Sequence, residues 1–134
     1  MGLVLDASVL TELLVMSPLG ARALTHVSPA RGDLHVPHLA DVECTSVFRG
    51  LVRGGILTSE RAGQALVDLR DFPARRWPGG VLLERVWELR DNLTAYDATY
   101  VALAEALDAD LITADAKLAR GAAGATSATI IVVS

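Results

Sequence analysis

The sequence TAYDATYVALAEALDADLITAD, at residues 94–115, contains a helix signal followed at once by a strand signal. Thr94 is a residue type that favours the N-cap of a helix, and Asp97, three residues later, has the position of a capping-box acid. Apolar side chains recur with helical spacing in the first part of the stretch: Tyr96, Tyr100, Leu103, Ala104 and Leu107. The run Leu111–Thr113 then predicts a short buried strand, with Asp115 close to its carboxyl end.

The predicted helix and strand bring two carboxylates together. Asp97 lies at the start of the helix, and Asp115 follows the strand. In a parallel sheet the connecting helices run antiparallel to the strands, so the start of a helix and the carboxyl end of a strand lie at the same edge. The sequence therefore predicts that these two acids are neighbours at the carboxyl edge of a sheet.

The rest of the chain continues the alternation of strands and helices. Short apolar runs predict strands at residues 2–5, 34–36 and 129–133. Residues 72–78 contain two prolines and predict an edge strand or a connection. Residues 38–53 predict a long helix, whose inward-facing apolar residues are expected to be Leu39, Val42, Val47 and Leu51. We expect one domain, residues 1–134, with an α/β fold: a three-layer sandwich in which helices flank a mainly parallel central sheet.

Length and composition limit the class of protein. A chain of 134 residues with 51% hydrophobic residues can bury one core. No apolar run approaches the ~20 residues that cross a bilayer, and no charged segment precedes an apolar run as in a signal peptide. Cys44 is the only cysteine, which excludes an internal disulfide and fits a reducing compartment. We therefore expect a cytoplasmic protein with no membrane partner.

The net charge of −4 is unlike that of proteins that bind nucleic acid through bulk electrostatics. Two bound divalent cations would bring that charge to zero (−4 + 4). Aromatic residues make up only 4% of the chain, which argues against a base-stacking platform. Any nucleic acid would then be held through its backbone or its shape.

Two further acids are predicted to reach the same edge of the sheet as Asp97 and Asp115. Asp6 follows the first predicted strand, and Glu43 lies early in the helix after the second. Each acid alone has a simple structural interpretation, as a helix cap or an exposed helix residue. Four carboxylates from four segments at one edge favour a binding site instead. Such a cluster repels itself unless cations neutralise it, and oxygen ligands without His or Cys suit Mg²⁺ or Mn²⁺ rather than Zn²⁺.

The chain resembles the PIN-domain ribonucleases and, among them, the VapC toxins of toxin–antitoxin pairs. The resemblance covers nearly the whole chain and depends on four pieces: LVLDAS at residues 3–8, Glu43, YDATYVALA at residues 96–104, and LITAD at residues 111–115. It implies that Asp6, Glu43, Asp97 and Asp115 form the catalytic metal site for Mg²⁺-dependent cleavage of RNA by water. It also implies that Ser8 and Thr113 support this site through their hydroxyls, and that the chain is a homodimer inhibited by a small VapB-like antitoxin.

Other functions remain open at this point. A PIN-domain nuclease of RNA processing or decay would have the same residues as a toxin, and a neighbouring antitoxin gene would separate the two. An Mg²⁺-dependent phosphotransfer or phosphatase domain, with Asp6 as phosphoacceptor, is disfavoured because Ser8 stands where such phosphatases have a second Asp. A binding module without activity would use the acids only as caps.

Overall fold

The computed structural model describes residues 2–134, and its centre is a five-stranded parallel sheet. The strands are β1 (Leu3–Leu5), β2 (Leu34–Pro37), β3 (Arg75–Trp77), β4 (Asp110–Thr113) and β5 (Ile130–Val132). Their order across the sheet is β3-β2-β1-β4-β5, and every neighbouring pair is parallel. The predicted α/β class and parallel sheet are confirmed, and the segment with two prolines supplies the edge strand β3.

The central position of β1 determines where the site lies. Leu3 pairs with Leu34 of β2 on one side and with Asp110 of β4 on the other. The chain extends the sheet from β1 through β2 and β3 in one direction, and later through β4 and β5 in the other. A change of direction of this kind opens a crevice at the carboxyl ends of the strands, where α/β proteins bind ligands.

Within residues 2–134, seven α-helices surround the sheet: α1 (Ala7–Val15), α2 (Pro18–Val27), α3 (Leu39–Arg53), α4 (Ser59–Arg70), α5 (Leu83–Glu88), α6 (Ala95–Leu107) and α7 (Ala116–Ala122). Helices α1 to α4 pack against one another, whereas α6 lies across β1, β2 and β4 with α5 against it. Within residues 2–134 no single helix is long and apolar enough to cross a membrane. Helix α1 and the segment Pro18–Ala30, which meet at an angle of 113°, reach that length and hydrophobicity only when they are taken together.

Helix α3 turns a different face to the core than its larger apolar residues predict. Its buried residues are Ala40, Cys44 and Phe48, spaced four apart. Val42 and Val47 are 68% and 40% exposed, so the prediction that they face inward is wrong. The stripe of Ala40 and Cys44 brings the helix close to its neighbours, and the valines border an open cavity instead.

Helix α6 begins where the sequence predicts. The Asp97 backbone N–H donates to Thr94 Oγ1 at 3.1 Å, which confirms Thr94 as the N-cap. Tyr100 is only 1% exposed, but Tyr96, which the helical spacing groups with it on one apolar face, is 60% exposed and lies outside the core. The first turn of α6 extends beyond the core, and its side chains reach the carboxyl edge of the sheet.

Candidate active site

A cavity of about 460 Å³ lies at the carboxyl edge of the sheet. Its lining includes all four of the predicted acids, namely Asp6, Glu43, Asp97 and Asp115. Ser8 also lines it, whereas Thr113 lies beneath it and is fully buried. The structure thus brings together acids that follow β1 and β4 and acids on α3 and α6, as the parallel topology requires.

Asp6 is fixed by hydroxyl groups from two different segments. The Ser8 and Thr113 hydroxyls both donate to Asp6 Oδ2, each at 2.7 Å. The side chain is only 6% exposed, and this burial raises the pKa of Asp6 even though the two hydrogen bonds lower it. Asp6 stands at the N-cap position of α1 but makes no side-chain capping bond. The simple interpretation of Asp6 as a helix cap is therefore excluded.

Ser8 and Thr113 connect the start of α1 to the end of β4. Ser8 Oγ accepts from the Ala114 N–H at 3.0 Å, and Thr113 Oγ1 accepts from the Asp115 N–H at 3.0 Å. Each hydroxyl also donates its proton to Asp6, so the two hydrogen bonds together fix its orientation. These contacts hold Asp6 and the backbone of Asp115 in one rigid unit.

Glu43 is held by a partner that the sequence analysis did not identify. The Tyr100 hydroxyl donates to Glu43 Oε1 at 2.6 Å, across from α6 to α3. Burial raises the pKa of Glu43, this hydrogen bond lowers it, and the charge of Asp6 raises it again. A buried tyrosine hydroxyl usually needs a partner, so the position of Tyr100 one turn after Asp97 was an available signal.

Asp97 shows most directly that the acids are close together. Its pKa is raised to about 6. Burial is the largest cause, and the charges of Asp6, Asp115 and Glu43 act in the same direction. Asp115 has two roles, because its Oδ1 also accepts from the Lys117 N–H at 2.8 Å and so caps α7. The cap interpretation is thus correct for Asp115, but it does not account for its place in the cavity.

The composition of the cavity fits a hard divalent cation. Among residues 2–134, the acidic and basic side chains that line it are all carboxylates, and their mutual repulsion disfavours full ionisation without a counter-charge. Within residues 2–134, no three acidic, histidine or cysteine side chains already stand close enough to ligate one ion. Shared ligation therefore requires rotation of some of these side chains towards the ion.

A family comparison assigns the fold that carries this cavity. The model of the PIN domain matches residues 3–124, which include all four acids. The chain belongs to the PIN-domain family. This assignment confirms the resemblance found in the sequence.

Relatives of this PIN domain are VapC proteins. Ribonuclease VapC12 of Mycobacterium tuberculosis is 36% identical over 88% of this chain and 90% of its own. Ribonuclease VapC9 of the same species is 49% identical over 63% of this chain and 67% of its own. The crystal structure of VapBC2 from Rickettsia felis, bound to a DNA fragment from its promoter, has the same fold, with a TM-score of 0.70, 12% identity and full coverage of both chains. The chain is thus a VapC-type PIN domain.

Proposed function

We propose that this PIN domain is an endoribonuclease that depends on Mg²⁺ or Mn²⁺, and that it is the toxin of a VapBC-type pair. The observation that carries the proposal is the convergence of Asp6, Glu43, Asp97 and Asp115 on one cavity, with the pKa of Asp97 raised to about 6. Relatives that cover most of the chain are named ribonucleases, which supports RNA as the substrate.

Asp6, Asp97 and Asp115 would hold the cation. When bound, a divalent ion lowers the pKa of water and neutralises charge on a phosphate oxygen. Because the Asp6 hydrogen bonds converge on Oδ2, its Oδ1 is the oxygen left for ligation. A rigid ligand of this kind loses little entropy when it binds.

Glu43 either completes the ligand set or orients the attacking water. Its Oε1 accepts from Tyr100, which leaves Oε2 to accept a hydrogen bond from water. In our proposal water attacks the phosphorus and the products are a 5′-phosphate and a 3′-hydroxyl. No side chain becomes covalently attached. Phosphotransfer through Asp6 has less support, because Oδ1 is its one oxygen without a hydroxyl donor and would have to be both the phosphoacceptor and the metal ligand.

Arg49 is the basic side chain that we propose to hold a phosphate next to the cleaved one. It is exposed on α3 and lines a depression that shares Val42 and Ser46 with the acidic cavity. A chain that enters the cavity from this side would pass Arg49, whose guanidinium can donate two hydrogen bonds to a phosphate.

The partners of the proposed toxin are a small antitoxin and a second copy of the chain. Helix α5 and the turn before it expose Val81, Leu83 and Trp87, which could bury apolar area against a copy. Size-exclusion chromatography with light scattering on the isolated chain tests the homodimer. A monomer at micromolar concentration would contradict it.

The activity itself is tested with purified chain and total bacterial RNA. We expect cleavage with Mg²⁺ or Mn²⁺ and none with EDTA, and 5′-end sequencing should show a few defined sites. Asp6→Asn and Asp97→Asn should lower the rate by more than the ~10–100-fold typical of changes around a metal site. Asp68→Asn is the matched control, because Asp68 is an exposed acid of α4 outside the cavity.

Each outcome of this test has a consequence. An active Asp97→Asn protein whose fold is unchanged by circular dichroism would remove Asp97 from the mechanism. Cleavage that continues in EDTA would contradict the dependence on metal. Growth inhibition upon expression, relieved by the product of an adjacent gene, would distinguish a toxin from a nuclease of RNA processing.

A further inference from the structure

Tyr96 is exposed in a way that core packing does not explain. Helix α6 is fully described by the structure, and its other aromatic residue, Tyr100, is 1% exposed. Tyr96 is 60% exposed, although it is the direct neighbour of Asp97. A large aromatic ring in water forgoes the free energy that its burial would give. The ring therefore gains most from a partner outside the chain.

The ring of Tyr96 stands at the wall of the acidic cavity. Val42 and Val47, on α3, line the same cavity and are 68% and 40% exposed. Exposed apolar groups from two helices thus border the carboxylates. Within residues 2–134, no arginine, lysine or histidine lines this cavity. A nucleotide inside it meets acids and apolar surface, and its phosphates find no cationic side chain there.

We propose that Tyr96 is a substrate-binding residue whose ring stacks on an unpaired base beside the scissile phosphate of RNA. This inference depends on the proposed endoribonuclease function. Because no cationic side chain lines the cavity itself, stacking of the base adds to the binding energy that the phosphates gain from the cation and from Arg49 outside the cavity. Aromatic rings bind any base through its face, and Val42 and Val47 offer apolar surface for the same nucleotide.

Stacking on Tyr96 requires an unpaired base. A base inside an RNA duplex is already stacked on both faces, so it cannot also lie on Tyr96. Tyr96 can therefore act only where the nucleotide at the cleaved bond is unpaired. The low overall aromatic content does not oppose this, because one ring in the right place is sufficient for one base.

The test compares three variants of the full chain on a short single-stranded RNA that contains one mapped cleavage site. Tyr96→Ala removes the ring, and Tyr96→Phe keeps the ring without its hydroxyl. Ile56→Ala is the matched control, because Ile56 is another large exposed apolar residue (73%) and does not line the cavity. The same RNA is also prepared without the base at each nucleotide flanking the cleaved bond.

We expect Tyr96→Ala to raise KM by roughly 5- to 150-fold, the range that corresponds to the loss of one stacked base, and to leave kcat nearly unchanged. Tyr96→Phe and Ile56→Ala should behave like the wild-type chain. The KM of the wild-type chain should be higher by the same factor on RNA that lacks the stacked base. The KM of Tyr96→Ala should be the same on this RNA and on the intact RNA.

Several results would overturn the inference. A wild-type KM for Tyr96→Ala, an equal loss for Tyr96→Phe, or additive losses for Tyr96→Ala and the abasic RNA would each exclude stacking. Weaker inhibition of Tyr96→Ala by a protein antitoxin, with unchanged cleavage, would assign the ring to that partner instead. If the wild-type chain cleaves no RNA, the proposed function fails and this inference fails with it, whereas cleavage with no effect of Tyr96 overturns the inference alone.

Discussion

The Tyr100 hydroxyl of α6 donates to Glu43 Oε1 of α3 at 2.6 Å, beneath the cavity that four acids share. This hydrogen bond connects a helix that carries Asp97 to a helix that carries Glu43. Because Tyr100 is almost fully buried, its ring cannot move without disturbing the core. The orientation of the Glu43 carboxylate is therefore set by a packed side chain rather than by water.

Replacement of this tyrosine tests whether it positions Glu43. Tyr100→Phe keeps the ring in the core and removes only the donor, so we expect a folded protein whose affinity for Mn²⁺ falls ~10–100-fold. The metal dependence of RNA cleavage and calorimetric titration with Mn²⁺ measure this effect. Thr99→Val is the control, since it removes a different hydroxyl of α6, one that donates to the Ala95 carbonyl. Equal metal affinity of Tyr100→Phe and the wild-type chain would show that the hydrogen bond is only structural.

The raised pKa of Asp97 predicts how stability without metal depends on pH. Its pKa is 3.8 in an ordinary environment and about 6 in the folded chain, so between these values the folded state keeps a proton that the unfolded state has lost. Stability is therefore greatest at low pH in this window and falls as pH rises through about 6. Asp97→Asn should remove much of this slope and stabilise the metal-free chain by about 1 kcal/mol near neutral pH, after allowance for solvent screening.

Urea denaturation in EDTA across this pH range measures the slope for both proteins. Asp68→Asn, in the exposed face of α4, is expected to leave it unchanged. A slope that Asp97→Asn does not reduce would assign the titration to another carboxyl of the cavity.

Loss of the buried Thr113 hydroxyl should lower the free energy of unfolding. Thr113→Val removes the donor to Asp6 Oδ2 and the acceptor of the Asp115 N–H, while it keeps the shape of the side chain. Hydrogen bonds to charged groups contribute about 1.5–3 kcal/mol, and we expect the free energy of unfolding to fall by that amount. Thr113→Ser retains the hydroxyl and should recover most of the loss in the same denaturation experiment. No recovery with serine would indicate that the methyl group, rather than the hydroxyl, is responsible.

Cys44 should be chemically inert in the folded protein. The thiol is fully buried on α3, and burial, followed by the charges of Asp41, Glu43 and Asp6, raises its pKa to about 12. The thiolate is the reactive form, so a thiol reagent should modify Cys44 only at the rate at which the chain opens or unfolds. Fast labelling of the native protein, at a rate insensitive to mild denaturant, would contradict this prediction.

The sequence was sufficient for the class of fold and for the place of the acids. Short apolar strands alternate with amphipathic helices, which predicts a parallel sheet, and residues that follow such strands meet at its carboxyl edge. Asp6 and Asp115 could be placed by this rule alone. The order of the strands could not, because the lengths of the connections do not show on which side of β1 the strand β4 pairs.

Periodicity also failed for side chains at the edge of the sheet. It identifies which residues of a helix share a face, but not how far that helix extends past the core. Val42 and Tyr96 lie in the first turns of α3 and α6, where the sheet has ended, so they border the cavity. The bond between Tyr100 and Glu43 depends on how two helices pack, which a single sequence does not encode in any local pattern.

The pairing of β1 with β4 determines when the acidic cluster can form during translation. Leu5 aligns with Ile112, and the Asp6 N–H donates to the Ile112 carbonyl at 3.0 Å, so Asp6 gains this strand neighbour only after residues 7–112 have been translated. A nascent chain that has not yet emerged through Asp115 lacks one of the four acids and the Thr113 hydroxyl that holds Asp6. The complete cluster is thus a late product of synthesis, and a ribosome that stalls early releases a fragment without it.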